Sequence, residues 1–182
     1  MPTLPPSFST DGFIQEKIRV EEPDASRTFG KSARPAAFSP ASGSIVLIGL
    51  PGSGRRELAN ALSVRLGMGI AAPEEVNAAM FAPGGIYAEP GRIVVLPCEA
   101  LREESVRVAV HKAGTVFYLM AEVLRMAHRL GKTSDADREA LSALFVEMEP
   151  LCMQTLHYIL QAWKEPEDLV ENVLEMLGLP TC

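Results

Sequence analysis

Three cysteines in 182 residues, Cys98, Cys152 and Cys182, with no C-x-x-C pair among them, exclude a disulfide framework and a thiolate zinc site as the basis of this fold. They read as buried or incidental thiols. Histidine is equally sparse. His111, His128 and His157 stand far apart in the chain with no acidic or cysteine partner at a recognisable spacing, which removes a metal centre and a nucleophile triad and places them at the surface or at helix ends. Positive charge is in deficit, with 17 Lys and Arg against 23 Asp and Glu and a formal net charge of -6. A protein that coats nucleic acid or an anionic membrane is therefore not expected. No apolar run approaches the roughly 18 residues of a membrane span, and MPTLPPSFSTDG has neither a charged n-region nor an apolar h-region. The expectation is a cytoplasmic protein with neither membrane nor nucleic acid as partner.

What is present is apolar content, at 47% of residues, enough at this length for one well-cored domain and an appendage. Residues 1–43 are rich in Pro, Ser and mixed charge and end in KSARPAAFSPASG, the composition of an extension or linker. Within it only FIQEKIRV, Phe13 to Val20, has the character of a short strand or helix. Residues 44–182 form the domain. There IVLIG (45–49), RIVVLP (92–97), TVFYLM (115–120) and HYILQAW (157–163) read as strands of the buried kind. Between and after them, helices are expected over RRELANALSVRLG, EALREESVRVAVHKAG, SDADREALSALFVEME and KEPEDLVENVLEMLG. Leu58, Leu62 and Leu66 share a face of the first, Gly67 stops it, Ser134 caps the third, and Pro166 and Gly178 bracket the fourth. This alternation predicts an α/β fold, a three-layer parallel sheet with helices on both faces and a ligand crevice at the carboxyl ends of the strands. Met120, Met126, Met148, Met153 and Met176 are expected in the core, Met68 and Met80 at an exposed apolar patch.

The first strand runs into GLPGSGRREL, Gly49 to Leu58. A phosphate-binding P-loop is written G-x-x-x-x-G-K-[ST] between strand and helix: backbone N–H groups wrap the phosphates, lysine reaches the outer ones, and the hydroxyl ligates magnesium. Gly49, Gly52, Ser53 and Gly54 keep the backbone nest, and the helix start adds its positive dipole end. Arg55 stands in the lysine's place with the charge but not the shape. Arg56 removes the magnesium oxygen and sets a permanent cation beside it. Phosphate or nucleotide binding is thus expected to outlive metal-assisted catalysis, with ATP or another nucleotide as cofactor and no metal residue assigned. A ligand-free strand-to-helix turn with solvated arginines is the plainer alternative.

The order and spacing of these segments, from Ser44 to Leu179, resemble the shikimate kinase family of the P-loop, nucleoside-monophosphate-kinase-like group. SIVLIGLPGSGRRELANALSVRLG is similar to its opening strand, loop and helix, RIVVLPCEALREESVRVAVHKAGTVFYL to its central strand, L-R-E-E helix and G-T-V-x-x-L strand, and ALFVEMEPLCMQTLHYIL to the stretch holding R-x-P-x-Y. The resemblance implies an ATP phosphotransferase, and against that pattern the acceptor positions are replaced. The family's G-G-G segment is Pro97, Cys98 and Glu99, the R-x-P-x-Y arginine is Met148, and D-x-D is matched by Ala72 and, loosely, Glu74. The acceptor-binding helices shrink to Asn77–Arg92, and the lid to HRLGKTSDADREAL with Arg129, Lys132 and Arg138.

Three readings stay open at this level. One is a catalytically degenerate protein binding a nucleotide or phosphate-bearing small molecule through Gly49, Gly52, Ser53, Gly54, Arg55, Arg56 and Arg129. Another is a divergent small-molecule kinase in which Arg55, Glu74 or Glu99 is catalytic. The last is an interaction module whose extension and shortened face meet a protein partner.

Overall fold

The computed structural model describes residues 38–181. Most of the 1–43 extension, the segment Phe13–Val20 with it, and Cys182 lie outside the described residues.

Five parallel strands, β1 (Ile45–Ile48), β2 (Gly69–Ala71), β3 (Arg92–Val95), β4 (Thr115–Met120) and β5 (Tyr158–Gln161), form one sheet in the order β2-β3-β1-β4-β5. Ile45 pairs with Ile93 on one side and Thr115 on the other, so β1 is central. Its four residues are all buried, as an all-apolar strand covered on both faces requires. At the edge, β5 alternates buried and exposed positions instead.

The helices are α1 (Arg55–Leu66), α2 (Glu104–Ala113), α3 (Val123–Arg129), α4 (Asp135–Thr155) and α5 (Pro166–Leu177). α1 packs with α5 and α4 with α2 and α3, the two faces that right-handed crossovers in this strand order dictate. Local signals end α1 and α5, and start α4, where the sequence indicates. Gly67 and Gly178 close α1 and α5 in the left-handed region at φ 67° and 69°, and the Ser134 side chain accepts from the Asp137 backbone N–H.

Several expectations need correction. Residues 99–114 are not one helix: a 3-10 turn, Cys98–Arg102, precedes α2, and the extended Glu103 separates them. Cys98 and Leu101 are drawn into the core by that turn. The helix expected to end at Glu149 continues through Pro150 to Thr155. Met68 is buried at 3% exposure, whereas Met153 and Met176 are exposed. Met126 and Met148 do fill the core, and Met80 packs half-buried against it.

His111 and His157 are surface residues, yet they meet: their rings stack with centroids 4.0 Å apart. His111 Nδ1 donates to the Thr155 carbonyl at 3.1 Å. His157 Nδ1 accepts from the Val116 N–H at 3.0 Å, pinning the start of β5 beside β4. That acceptor role requires an unprotonated Nδ1. Burial first and His111 second lower the His157 pKa. With the folded value below the unfolded one near 6.5, the unfolded chain binds the extra proton, so this contribution is intact above about pH 6.5 and lost as pH falls below it. The urea midpoint is expected to drop from pH 7.5 to 5.5 by a larger amount in the wild type than in His157→Asn, which keeps an acceptor but cannot titrate. Equal drops would exclude His157 as the cause.

Candidate functional site

β1 ends at Ile48, and the chain turns through Gly49–Gly54 into α1. This loop, the end of β3, the segment after β2 and the end of α3 enclose a crevice of about 550 Å³ at the carboxyl ends of the strands. Gly52 and Gly54 take φ of +81° and +93°, conformations open to glycine and strained for other residues. Both also admit close neighbours. A Cβ on Gly52 would lie 2.7 Å from the Met126 carbonyl oxygen, and one on Gly54 would lie 2.7 Å from Arg129 Nη1. Gly49 sits below the crevice, its missing Cβ leaving room for the Leu119 carbonyl. Gly54 caps α1 without any side-chain acceptor, so the first-turn N–H groups have no side-chain cap and the positive end of the helix faces the crevice. Ser53 lines the same wall. It is 1% exposed, and its hydroxyl has no hydrogen-bond partner.

Arg55 does not rest over the loop. Its guanidinium crosses to β3 and donates through Nη1 to the Leu96 carbonyl. Burial lowers its pKa, while Cys98 and Glu99 act to raise it; an arginine stays cationic throughout. Arg56 and Glu57 are exposed at the mouth, with Glu74 opposite them. Arg129, at the end of α3, donates to the Gly52 carbonyl at 3.4 Å. The fold thus gathers Gly52, Ser53, Gly54, Arg55, Arg56, Arg129 and Glu74 around one crevice. Glu99 lies in the 3-10 turn beyond it, close enough to Arg55 to act electrostatically. The Leu96 carbonyl and Leu130 are not identifiable from sequence. A strand end and a residue after an arginine carry no pattern of their own.

Cys98 and Cys152 stand behind Arg55, both fully buried. Burial pushes their thiols up to about 11 and about 12 respectively, against the opposing pull of Arg55. Desolvation outweighs the cationic neighbour, and these are inert thiols at neutral pH.

Where the resemblance places the acceptor, other residues stand. Met148, where the resemblance implies a carboxylate-binding arginine, is 0% exposed in α4. Residues 77–92 hold a 3-10 turn, Ala78–Phe81, whose Phe81 packs on Tyr87 with ring centroids 5.4 Å apart. The Tyr87 N–H returns to the Met80 carbonyl at 2.8 Å, so this segment folds on itself. Arg102 is engaged by Glu147 through 2.7 and 3.2 Å bonds. Magnesium needs oxygen ligands in octahedral array. Arg56 stands at the hydroxyl position and Ala72 at the first acidic one, while Glu57 and Glu74 are the crevice's carboxylates.

No protein-family model matches the chain. Shikimate kinase 2 of Yersinia enterocolitica is 29% identical over 99 residues, 49% of this chain and 57% of that enzyme's length. The match therefore spans little more than half of the curated relative. Among solved structures, the shikimate kinase of Acinetobacter baumannii in complex with shikimate superposes with a TM-score of 0.65 at 16% identity, covering 76% of this chain and 94% of that one. Shikimate kinase from Bacteroides thetaiotaomicron gives 0.63 at 16%, covering 75% and 99%. The chain has a shikimate kinase homologue and carries the P-loop kinase fold. Among the described residues no helix is long and apolar enough to cross a membrane.

Proposed function

We propose that this shikimate-kinase-like protein binds a nucleotide or another phosphate-bearing anion at its remnant P-loop and does not phosphorylate shikimate. One observation carries the reading: three arginines, Arg55, Arg56 and Arg129, line one crevice with a loop that keeps its positive-φ glycines. Backbone N–H groups with arginine forks are an anion site by chemistry, and they need no turnover to work. ATP or another nucleotide is the ligand the fold suggests. Shikimate phosphorylation needs an acceptor held in line with the donor, and the buried Met148 and the short 77–91 segment supply no carboxylate-binding arginine to hold it. Glu74, exposed at the crevice wall, is the feature that favours the second reading, a divergent kinase.

Thermal unfolding in EDTA tests the first half. Sulfate, phosphate, ADP and ATP should each raise the midpoint by mass action, about 2.7 kcal/mol of added stability at a hundredfold excess over Kd. A flat response to all four would remove the anion site and favour an interaction module. A coupled ADP-release assay with shikimate tests the second half. Turnover approaching the enzyme median of about 10 per second would restore the kinase.

A further inference from the structure

The side chain in the lysine position is tied to the opposite strand. Among the described residues Arg55 makes one hydrogen bond, to the Leu96 carbonyl at the end of β3. That bond uses one of its several N–H donors and ties the guanidinium to β3, in a residue that lines the crevice. Leu96 lines the same crevice, and the lone pair of its carbonyl oxygen repels an anion. Next to it the nest holds the buried hydroxyl of Ser53, which has no partner. A ligand in the crevice therefore meets backbone N–H groups, a tethered cation and a carbonyl.

We infer that Arg55 occupies the role a divalent ion would play, so that the crevice takes a compound with two adjacent phosphoryl groups in its metal-free form, and magnesium opposes binding. This rests on reading the crevice as an anion site. The inner phosphoryl group lies in the nest of Gly52, Ser53 and Gly54. The outer one meets the Arg55 fork, and Arg56 and Arg129 neutralise the remaining charge. A magnesium ion chelated by the two groups would enter facing three arginines, with no hydroxyl at position 56 and with Glu57 and Glu74 as the crevice's carboxylates. A third phosphoryl group would have to break the bond between Arg55 and Leu96. Inorganic diphosphate and ADP are thus preferred to ATP, and each is preferred without metal.

Isothermal titration decides it, with inorganic diphosphate, ADP and ATP as probes, first in EDTA and then in excess magnesium. Because only the uncomplexed ligand binds, its apparent affinity should fall by the fraction that magnesium sequesters, at least about tenfold. Arg55→Gln should lose about tenfold or more of the metal-free diphosphate affinity, as expected for a charge-assisted bond. If the probes bind and magnesium leaves affinity unchanged or tightens it, the inference fails while the anion site stands. It fails in the same way if Arg55→Gln binds metal-free diphosphate as the wild type does, or if ATP outcompetes ADP in EDTA. If no probe binds under either condition, both the inference and the anion-site reading fall.

Discussion

Gly52→Ala is expected to destabilise the protein by about 3 kcal/mol with no anion present, a larger loss than most single substitutions cause. Left-handed φ costs a non-glycine residue about 1–2 kcal/mol, and Gly52 sits at +81°. Contact adds the rest. The new Cβ would lie 2.7 Å from the Met126 carbonyl and 3.1 Å from Leu130 Cγ, and a carbonyl within a helix cannot swing aside. α3 must withdraw, taking Arg129 away from the crevice. Gly131 is the control, at φ +66° with nothing within 4 Å of where a methyl group would stand; alanine there should cost only the conformational part, about 1 kcal/mol. Urea midpoints of the two variants in anion-free buffer measure the difference. Equal losses would mean that α3 does not pack on the loop, and that Gly52 serves the ligand alone. With the expected result, a Gly52 variant is a poor probe of anion binding, and Arg55 the better one.

Much of the fold is local in origin, and that part is legible in the sequence. Ile45–Ile48 and Thr115–Met120 are continuous apolar runs, and Ser134, Gly67 and Gly178 act through bonds and dihedrals within a few residues of themselves. β2 is not legible, because three residues, Gly69–Ala71, at a sheet edge carry no apolar run. Nor is α3, because seven residues give barely two turns of periodicity. The site is legible as a set of residues but not as an arrangement. Sequence names Arg55 as the lysine substitute, yet whether its fork stays over the loop or reaches Leu96, 41 positions away, depends on how β3 ends beside β1. The stacking of His111 on His157 is hidden for the same reason. Cys98 shows the limit of arguing from neighbours alone: Arg55 is close enough to lower the thiol's pKa, but burial outweighs it.

Restoring the loop is expected to bring back metal-assisted binding without bringing back shikimate phosphorylation. Arg55→Lys with Arg56→Ser returns the hydroxyl ligand and removes the opposing cation, so magnesium should now tighten ATP binding instead of opposing it. Turnover with shikimate should remain more than about a thousandfold below the median enzyme rate of roughly 10 per second. The reason lies in the core and not in the loop. Supplying the missing acceptor arginine as Met148→Arg would place an unpaired cation at a position with 0% exposure, at a cost on the order of 3–5 kcal/mol. That variant should lose most of its stability before it gains a carboxylate site. Pro97, lacking an N–H, and the buried Cys98 stand in a packed turn where the resemblance implies glycines. On the proposed reading two substitutions rewrite the loop, whereas Met148 and Cys98 belong to the buried core. Efficient shikimate phosphorylation by the double variant would show that Glu74 or another exposed group holds the acceptor, and would overturn the proposal that the protein does not phosphorylate shikimate.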